Sequence, residues 1–132
     1  MNASATAFAR RPRGRVLIVE DDAAVSSSLA EVLTDEGYQT AVASDGQKAL
    51  DWLASHAAPD LILLDLWMPV LTGEEFRARQ LQDPALAAIP VVIISAATDA
   101  RARARALGAD AVLPKPIDLD ALLALLEKHT AP

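Results

Sequence analysis

Glu20, Asp21, Asp65, Ser95 and Lys115 are polar side chains standing where apolar runs stop. Leu61 to Leu64 ends in Asp65, Arg15 to Val19 ends in three acids, Ile89 to Ile94 ends in Ser95, and Ala111 to Leu113 leads through Pro114 to Lys115. Continuous apolar runs of this kind suit strands buried on both faces of a parallel sheet. In open α/β sheets, ligands bind outside the carboxyl ends of such strands. A lone Asp there could equally cap the helix that follows, so the argument rests on several strand ends converging. Converging carboxylates repel one another unless a cation shares them or their pKa values rise. Mg²⁺ suits such a set, because it binds through one or two carboxylates, keeps waters and completes its shell from a phosphoryl group. With it, an Asp carboxylate can attack a phosphoryl donor. The transition state is loose, so the protein mainly positions groups and neutralises spreading charge. Lys115 offers a fixed positive charge and Ser95 a hydroxyl donor, while Glu20 and Asp21 are candidate metal ligands.

Placing those groups requires alternating strands and helices. Asp22 to Glu36 carries Val25, Leu29, Val32 and Leu33 at helical spacing and is stopped by Gly37. Tyr38 to Ala43 reads as a second strand, and Ser44 with Gln47 has capping-box spacing for a helix directing Ala49, Leu50 and Leu53 inward. After Asp65, Met68-Pro69 turns the chain, and Thr72 with Glu75 repeats the capping box before a helix with Phe76 inward, broken at Gln82-Asp83-Pro84. Asp99 to Leu107 is an Ala/Arg helix closed by Gly108, and Asp118 caps a last helix with Leu119, Leu122, Leu123 and Leu126 on one face. Five strands alternating with five helices imply a doubly wound α/β fold, because parallel neighbours need right-handed crossovers. With strand order 2-1-3-4-5, the switch point lies between strands 1 and 3, where the acidic ends meet.

The chain of 132 residues is long enough for one domain with its own core. It has no cysteine, which excludes a disulfide framework and thiolate chemistry. Cysteine and paired histidines are missing, which argues against structural zinc; His56 and His129 fall at predicted helix ends and read as surface residues. No run approaches the roughly 20 apolar residues of a membrane helix, and no apolar core follows the basic residues near the start, so a cytoplasmic protein is expected. The net charge is -6, and setting aside the three positive charges of Arg10, Arg11 and Arg13 leaves -9. That argues against direct nucleic-acid binding by the folded body. Residues 1–13, small, polar and basic, read as a disordered tail preceding a domain over 14–130.

At this point the sequence closely resembles a response-regulator receiver domain of two-component signalling, the CheY-like family, over roughly residues 14 to 130. The matching pieces are VLIVEDD at 16 to 22, LILLDLWMPVLTG at 61 to 73, VVIISA at 91 to 96 and GADAVLPKP at 108 to 116. Each is weak alone, and together they are specific. The resemblance implies that Asp65 is the phosphoacceptor, that Glu20 and Asp21 are the acidic pair, that Ser95 is the switch hydroxyl and that Lys115 is the family's lysine. It also implies a Mg²⁺ ligand from the Trp67 main-chain carbonyl and a cis peptide before Pro116. The phosphoryl donor would be a histidine kinase or a histidine phosphotransfer protein. The protein would accept and shed its own phosphate rather than turn over a separate substrate. One departure is Val112, three residues before Lys115, where such domains usually carry Tyr or Phe to couple hydroxyl movement to a rotamer. Glu20 in place of the commoner Asp is milder.

Two other readings share parts of the pattern. A haloacid-dehalogenase-type phosphatase also uses a strand-end Asp with Mg²⁺, but its second Asp would stand at Trp67. A receiver-like interaction module that is never phosphorylated would not need all five chemical positions filled. The chain ends shortly after the last predicted helix, so the expectation is a receiver standing alone or belonging to a longer regulator. In receivers the fourth helix, fifth strand and fifth helix commonly carry output. Here Leu125, Ala121 and Ala124 widen the apolar arc of the last helix, and Arg101 and Arg105 could pair with Asp118, Asp120 and Glu127 of a second copy or partner.

Overall fold

The computed structural model describes residues 13–130, and the disordered tail expected near the start lies, through residue 12, outside the described residues. The elements are β1 (Arg15–Val19), α1 (Ala23–Asp35), β2 (Gln39–Ala43), α2 (Gly46–Ser55), β3 (Leu61–Asp65), α3 (Gly73–Gln82), β4 (Val91–Ser95), α4 (Ala100–Ala106), β5 (Ala111–Pro114) and α5 (Leu119–Thr130). All strand pairs are parallel, in the order β2-β1-β3-β4-β5. This is the expected doubly wound arrangement, with the reversal of strand order between β1 and β3.

Side chains alternate across each strand, so every strand feeds two cores. Val16, Ile18, Leu61, Leu63, Val92 and Ile94 face Leu29 and Leu33 of α1 and Leu122 and Leu126 of α5. Leu17, Val19, Ile62, Leu64, Val91 and Ile93 face Ala49 and Leu53 of α2, Phe76 of α3 and Ala104 of α4. Burial on both faces is why β1, β3 and β4 carry unbroken apolar runs rather than alternating ones.

Several local expectations shift. The cap of α2 is Asp45, which accepts from the Lys48 amide at 2.8 Å, and not Ser44, whose hydroxyl accepts from the Lys48 ammonium at 3.0 Å. The chain stays extended through Asp45 (φ -157°, ψ 173°), so the helix starts one residue later than the capping-box spacing suggests. Leu119 is 42% exposed rather than inward. It borders an open apolar groove with Val25, Val32, Pro116 and Ile117, which also leaves Val25 and Val32 only half-buried. Ser26 takes an inward place on α1 instead, its hydroxyl donating to the Ala23 carbonyl at 3.3 Å. Arg13, counted above with the tail, is tied to the domain: its amide donates to the Gly37 carbonyl at 3.0 Å, and its guanidinium donates to Glu127 at 3.1 Å. Glu127, expected as a free acid on the output face, is therefore engaged within the domain.

The capping box on α3 is present, with the Glu75 amide donating to the Thr72 hydroxyl at 3.1 Å and the Thr72 amide to the Glu75 carboxylate at 2.9 Å. Gly108 closes α4 at φ +66°, the left-handed conformation glycine adopts without penalty. The Lys115-Pro116 peptide is cis, as the resemblance implied. Among the described residues no helix is long and apolar enough to cross a membrane.

Candidate functional site

The three consecutive acids after β1 divide their work. Asp22 caps α1, accepting from the amides of Ala24 at 2.9 Å and Val25 at 3.2 Å. Asp21 is exposed, while Glu20 turns back into the fold and is only 1% exposed, accepting from the Asp22 amide at 3.2 Å. Asp65, at the end of the adjoining β3, is 4% exposed. One carboxylate oxygen each from Glu20, Asp21 and Asp65 lies within 4.8 Å of the others. The sequence placed these acids at two strand ends, and the β1–β3 pairing brings them together.

Lys115 reaches the same place from the far edge of the sheet. Its backbone amide donates to the Ser95 carbonyl at 2.9 Å, continuing the β4–β5 ladder by one step. Its ammonium then lies 2.5 Å from Glu20 Oε1 and 3.6 Å from Asp65 Oδ2. Ser95 is buried one residue past the Asp65–Ile94 register pair, and its hydroxyl accepts from the Ala97 amide at 3.1 Å. The Trp67 amide donates to Asp65 Oδ1 at 3.3 Å, while its indole stays 65% exposed. His56 is exposed and stacks on Trp52, and His129 is half-buried on α5, so neither joins the site.

The electrostatics show a deficit of positive charge. Burial pushes the Glu20 carboxyl above its ordinary value; the Lys115 hydrogen bond opposes this, and the nearby Asp65 carboxyl adds to it. Burial alone would lower Lys115, but its hydrogen bond to Glu20 and the charge of Asp65 hold it above its ordinary value. Three carboxylates face one ammonium here, so negative charge outweighs positive; the raised Lys115 follows from that balance, whereas the raised Glu20 follows first from its burial. Clustered oxygen donors with excess negative charge fit a hard divalent cation such as Mg²⁺, which takes carboxylate oxygens and resists losing all its water.

Sequence reasoning missed three features here. Gly73 starts α3 directly against the acceptor: a Cβ on it would meet the Asp65 carbonyl oxygen at 2.5 Å and the Leu66 Cα at 2.8 Å. Its place in the run LTG after the acidic strand end was the only sequence signal. Val70 has φ +69°, with the Leu71 amide donating to the Pro69 carbonyl at 2.7 Å, a tight γ-turn that β-branched residues rarely enter. Arg103 of α4 lies 5.1 Å from the centroid of the Trp67 ring and is paired with Glu74 of α3.

Comparisons with known proteins identify the family and its fold. The family model described as the response regulator receiver domain matches residues 16–127. Response regulator MprA of Mycolicibacterium vanbaalenii is 42% identical over 112 residues, covering 83% of this chain and 47% of that protein. MprA of Mycobacterium avium is likewise 42% identical, over 83% of this chain and 48% of its own length, so the chain spans about half the length of the curated relatives it matches. Among solved structures, the signal receiver domain of a histidine kinase from Syntrophus aciditrophicus superposes with TM-score 0.82 at 31% identity, covering 89% of this chain and 90% of that one. The response regulator TrrA from Thermotoga maritima, solved in complex with Mg(2+)-BeF, gives TM-score 0.77 at 27% identity over 86% of this chain and 96% of its own. A receiver fold, acids meeting at its switch point and a family model spanning both place this chain in the response regulator receiver domain family of two-component signalling.

Proposed function

We propose that the chain accepts a phosphoryl group on Asp65 from the phosphohistidine of a histidine kinase or histidine phosphotransfer protein. The observation that carries this is the Asp65 carboxylate, held at the end of β3 between the amide of Trp67 and the ammonium of Lys115. An Asp65 oxygen attacks phosphorus; the P–O bond of the acyl phosphate forms as the P–N bond breaks, and its electron pair leaves on the imidazole nitrogen. Lys115 can leave Glu20 to meet the new negative oxygens, and the Ser95 hydroxyl can turn from its local contact to donate to one of them. Glu20, Asp21, Asp65 and the main-chain carbonyl of Trp67 are the groups that would hold Mg²⁺, which when bound offsets the charge of the phosphoryl oxygens. The readout is conformational, through partners or a second copy meeting α4, β5 and α5. Arg101 and Arg105, and Asp118 and Asp120, remain exposed there. The acidic body leaves any nucleic-acid contact to a separate domain, and the setting is cytoplasmic.

The test is phosphoryl incorporation from acetyl phosphate, followed by intact-mass spectrometry. Asp65→Asn should abolish labelling, Asp21→Ala should raise the Mg²⁺ concentration needed, and excess chelator should stop the reaction. Equal labelling of Asp65→Asn, or labelling untouched by chelator, would sink the assignment.

A further inference from the structure

The route from Asp65 to the output face is not obvious in this chain. Val112, on β5 in register with Ile93, is half-buried and has no ring to swing between two positions. A different set of contacts joins the acceptor to α4. The Trp67 amide donates to Asp65 Oδ1 at 3.3 Å, so the loop after β3 is tied directly to the reacting carboxylate. Its indole, exposed to solvent, has the Arg103 guanidinium over it with the carbon 5.1 Å from the ring centroid. That guanidinium is gripped at two points by Glu74, with Nε donating to Oε2 at 3.3 Å and Nη2 donating to Oε1, and Asp99 lies 3.9 Å away on the other side. Glu74 belongs to the first turn of α3, next to Gly73, which lies against the Asp65 carbonyl.

The helix held by this contact has few other anchors. α4 is seven residues, ARARARA; its buried side chains are Ala100 and Ala104, and the Asp99 side chain makes no cap hydrogen bond. Alanines bury little area, so a polar contact forms an unusually large share of what holds the helix on the acceptor side. Arg103 is also the best placed of its three arginines to do so, because it is half-buried while Arg101 and Arg105 are exposed.

We infer that Arg103 is a positioning residue, and that the Glu74–Arg103–Trp67 stack carries the state of Asp65 to α4 in place of a switch aromatic on β5. The inference rests on Asp65 being the acceptor. Phosphorylation turns the anionic carboxylate into an acyl phosphate whose charge sits further out on the phosphoryl oxygens, so the Trp67 amide must exchange Oδ1 for one of them. The Trp67 loop then shifts, the indole leaves the guanidinium, and α4 loosens. The contact is polar and reversible, which suits a switch better than it suits permanent packing.

Amide hydrogen exchange over α4 tests this, with and without acetyl phosphate and Mg²⁺, on the parent, Arg103→Ala, Glu74→Gln and, as a control, Asp99→Asn. Without phosphodonor, Arg103→Ala should exchange at α4 about tenfold faster than the parent, the scale expected for losing an ion pair and a cation–π contact together, and Glu74→Gln, which loses the ion pair alone, should fall between the two. Asp99→Asn should stay close to the parent. Phosphorylation should raise α4 exchange in the parent toward the Arg103→Ala level and add little in Arg103→Ala itself. Equal α4 protection in the parent and Arg103→Ala, or an undiminished response to phosphorylation in that variant, would overturn the inference. Intact mass on the same samples separates the two failures. A missing phosphoryl group on the parent condemns the acceptor assignment, whereas normal phosphorylation with an indifferent Arg103→Ala condemns only the stack.

Discussion

Gly73→Ala should damage the site more than the fold. Gly73 begins α3, and an added Cβ would stand 2.5 Å from the Asp65 carbonyl oxygen, 2.8 Å from the Leu66 Cα and 3.2 Å from the Asp65 carbonyl carbon. All three neighbours are backbone, so no side chain can rotate away. Ordinary contact begins near 3.4 Å, so α3 and the end of β3 must part by roughly 0.9 Å. Overpacking of this kind costs about 1–3 kcal/mol of stability. The same displacement moves the peptide carrying Asp65 relative to Glu20 and Lys115, which directly follow β1 and β5. A misplacement near 1 Å at a reacting group costs on the order of 100-fold in rate. The expected result is a folded variant whose phosphorylation by acetyl phosphate is slowed about 10- to 100-fold, with a lower urea midpoint. Stopped-time labelling and urea titration measure the two quantities on one preparation. A parental labelling rate in a variant that has lost the expected stability would refute the claim that this glycine positions the acceptor.

Other substitutions probe the frame. Arg77 is buried with its guanidinium donating to Leu107 O at 3.1 Å, Gly108 O at 3.0 Å and Gln80 Oε1 at 2.8 Å. Arg77→Met leaves these acceptors unpartnered and should cost about 2–4 kcal/mol; a loss under about 1 kcal/mol in urea titration would show that water replaces the bonds freely. Val70→Gly removes a β-branched side chain from φ +69°. Relief of about 1–2 kcal/mol of strain, less the added freedom of glycine, should raise the urea midpoint slightly, and a lowered midpoint would contradict the strain. The Glu75 carboxyl is held below its ordinary value of 4.5, first by the Thr72 backbone amide. A depressed carboxyl contributes stability above its unfolded pKa and loses it as pH falls through the folded value. The stability difference between the parent and Glu75→Gln should therefore shrink as pH drops below 4.5, and a difference that stays constant would remove the cap from the account.

Patterns carried by neighbouring residues were open to reading from the chain alone. Unbroken apolar runs at β1, β3 and β4 mean burial on two faces, and polar residues ending such runs must emerge at the sheet's edge. The Thr72/Glu75 box and the glycine after α4 act within one turn, so their effect does not depend on distant packing. The five strand-end groups followed from the same local signals, whereas the strand order entered the sequence reading as a condition and is set by tertiary pairing. Local signals failed where two adjacent residues could do one job. Ser44 and Asp45 are both good caps, and the choice went to Asp45 because the backbone is still extended there and the helix begins at Gly46. Leu119 fits the apolar stripe of α5 on spacing alone, yet it lies at the helix start beside an open groove and stays exposed. The pairings of Lys115 with Glu20 and of Arg103 with Glu74 and Trp67 were beyond any local pattern. They span 95, 29 and 36 residues, and charged residues at such separations have many formal partners. Only the crossovers and the 2-1-3-4-5 strand order decide which of those partners lie within reach, because a side-chain contact is a fact of distance in space and not along the chain.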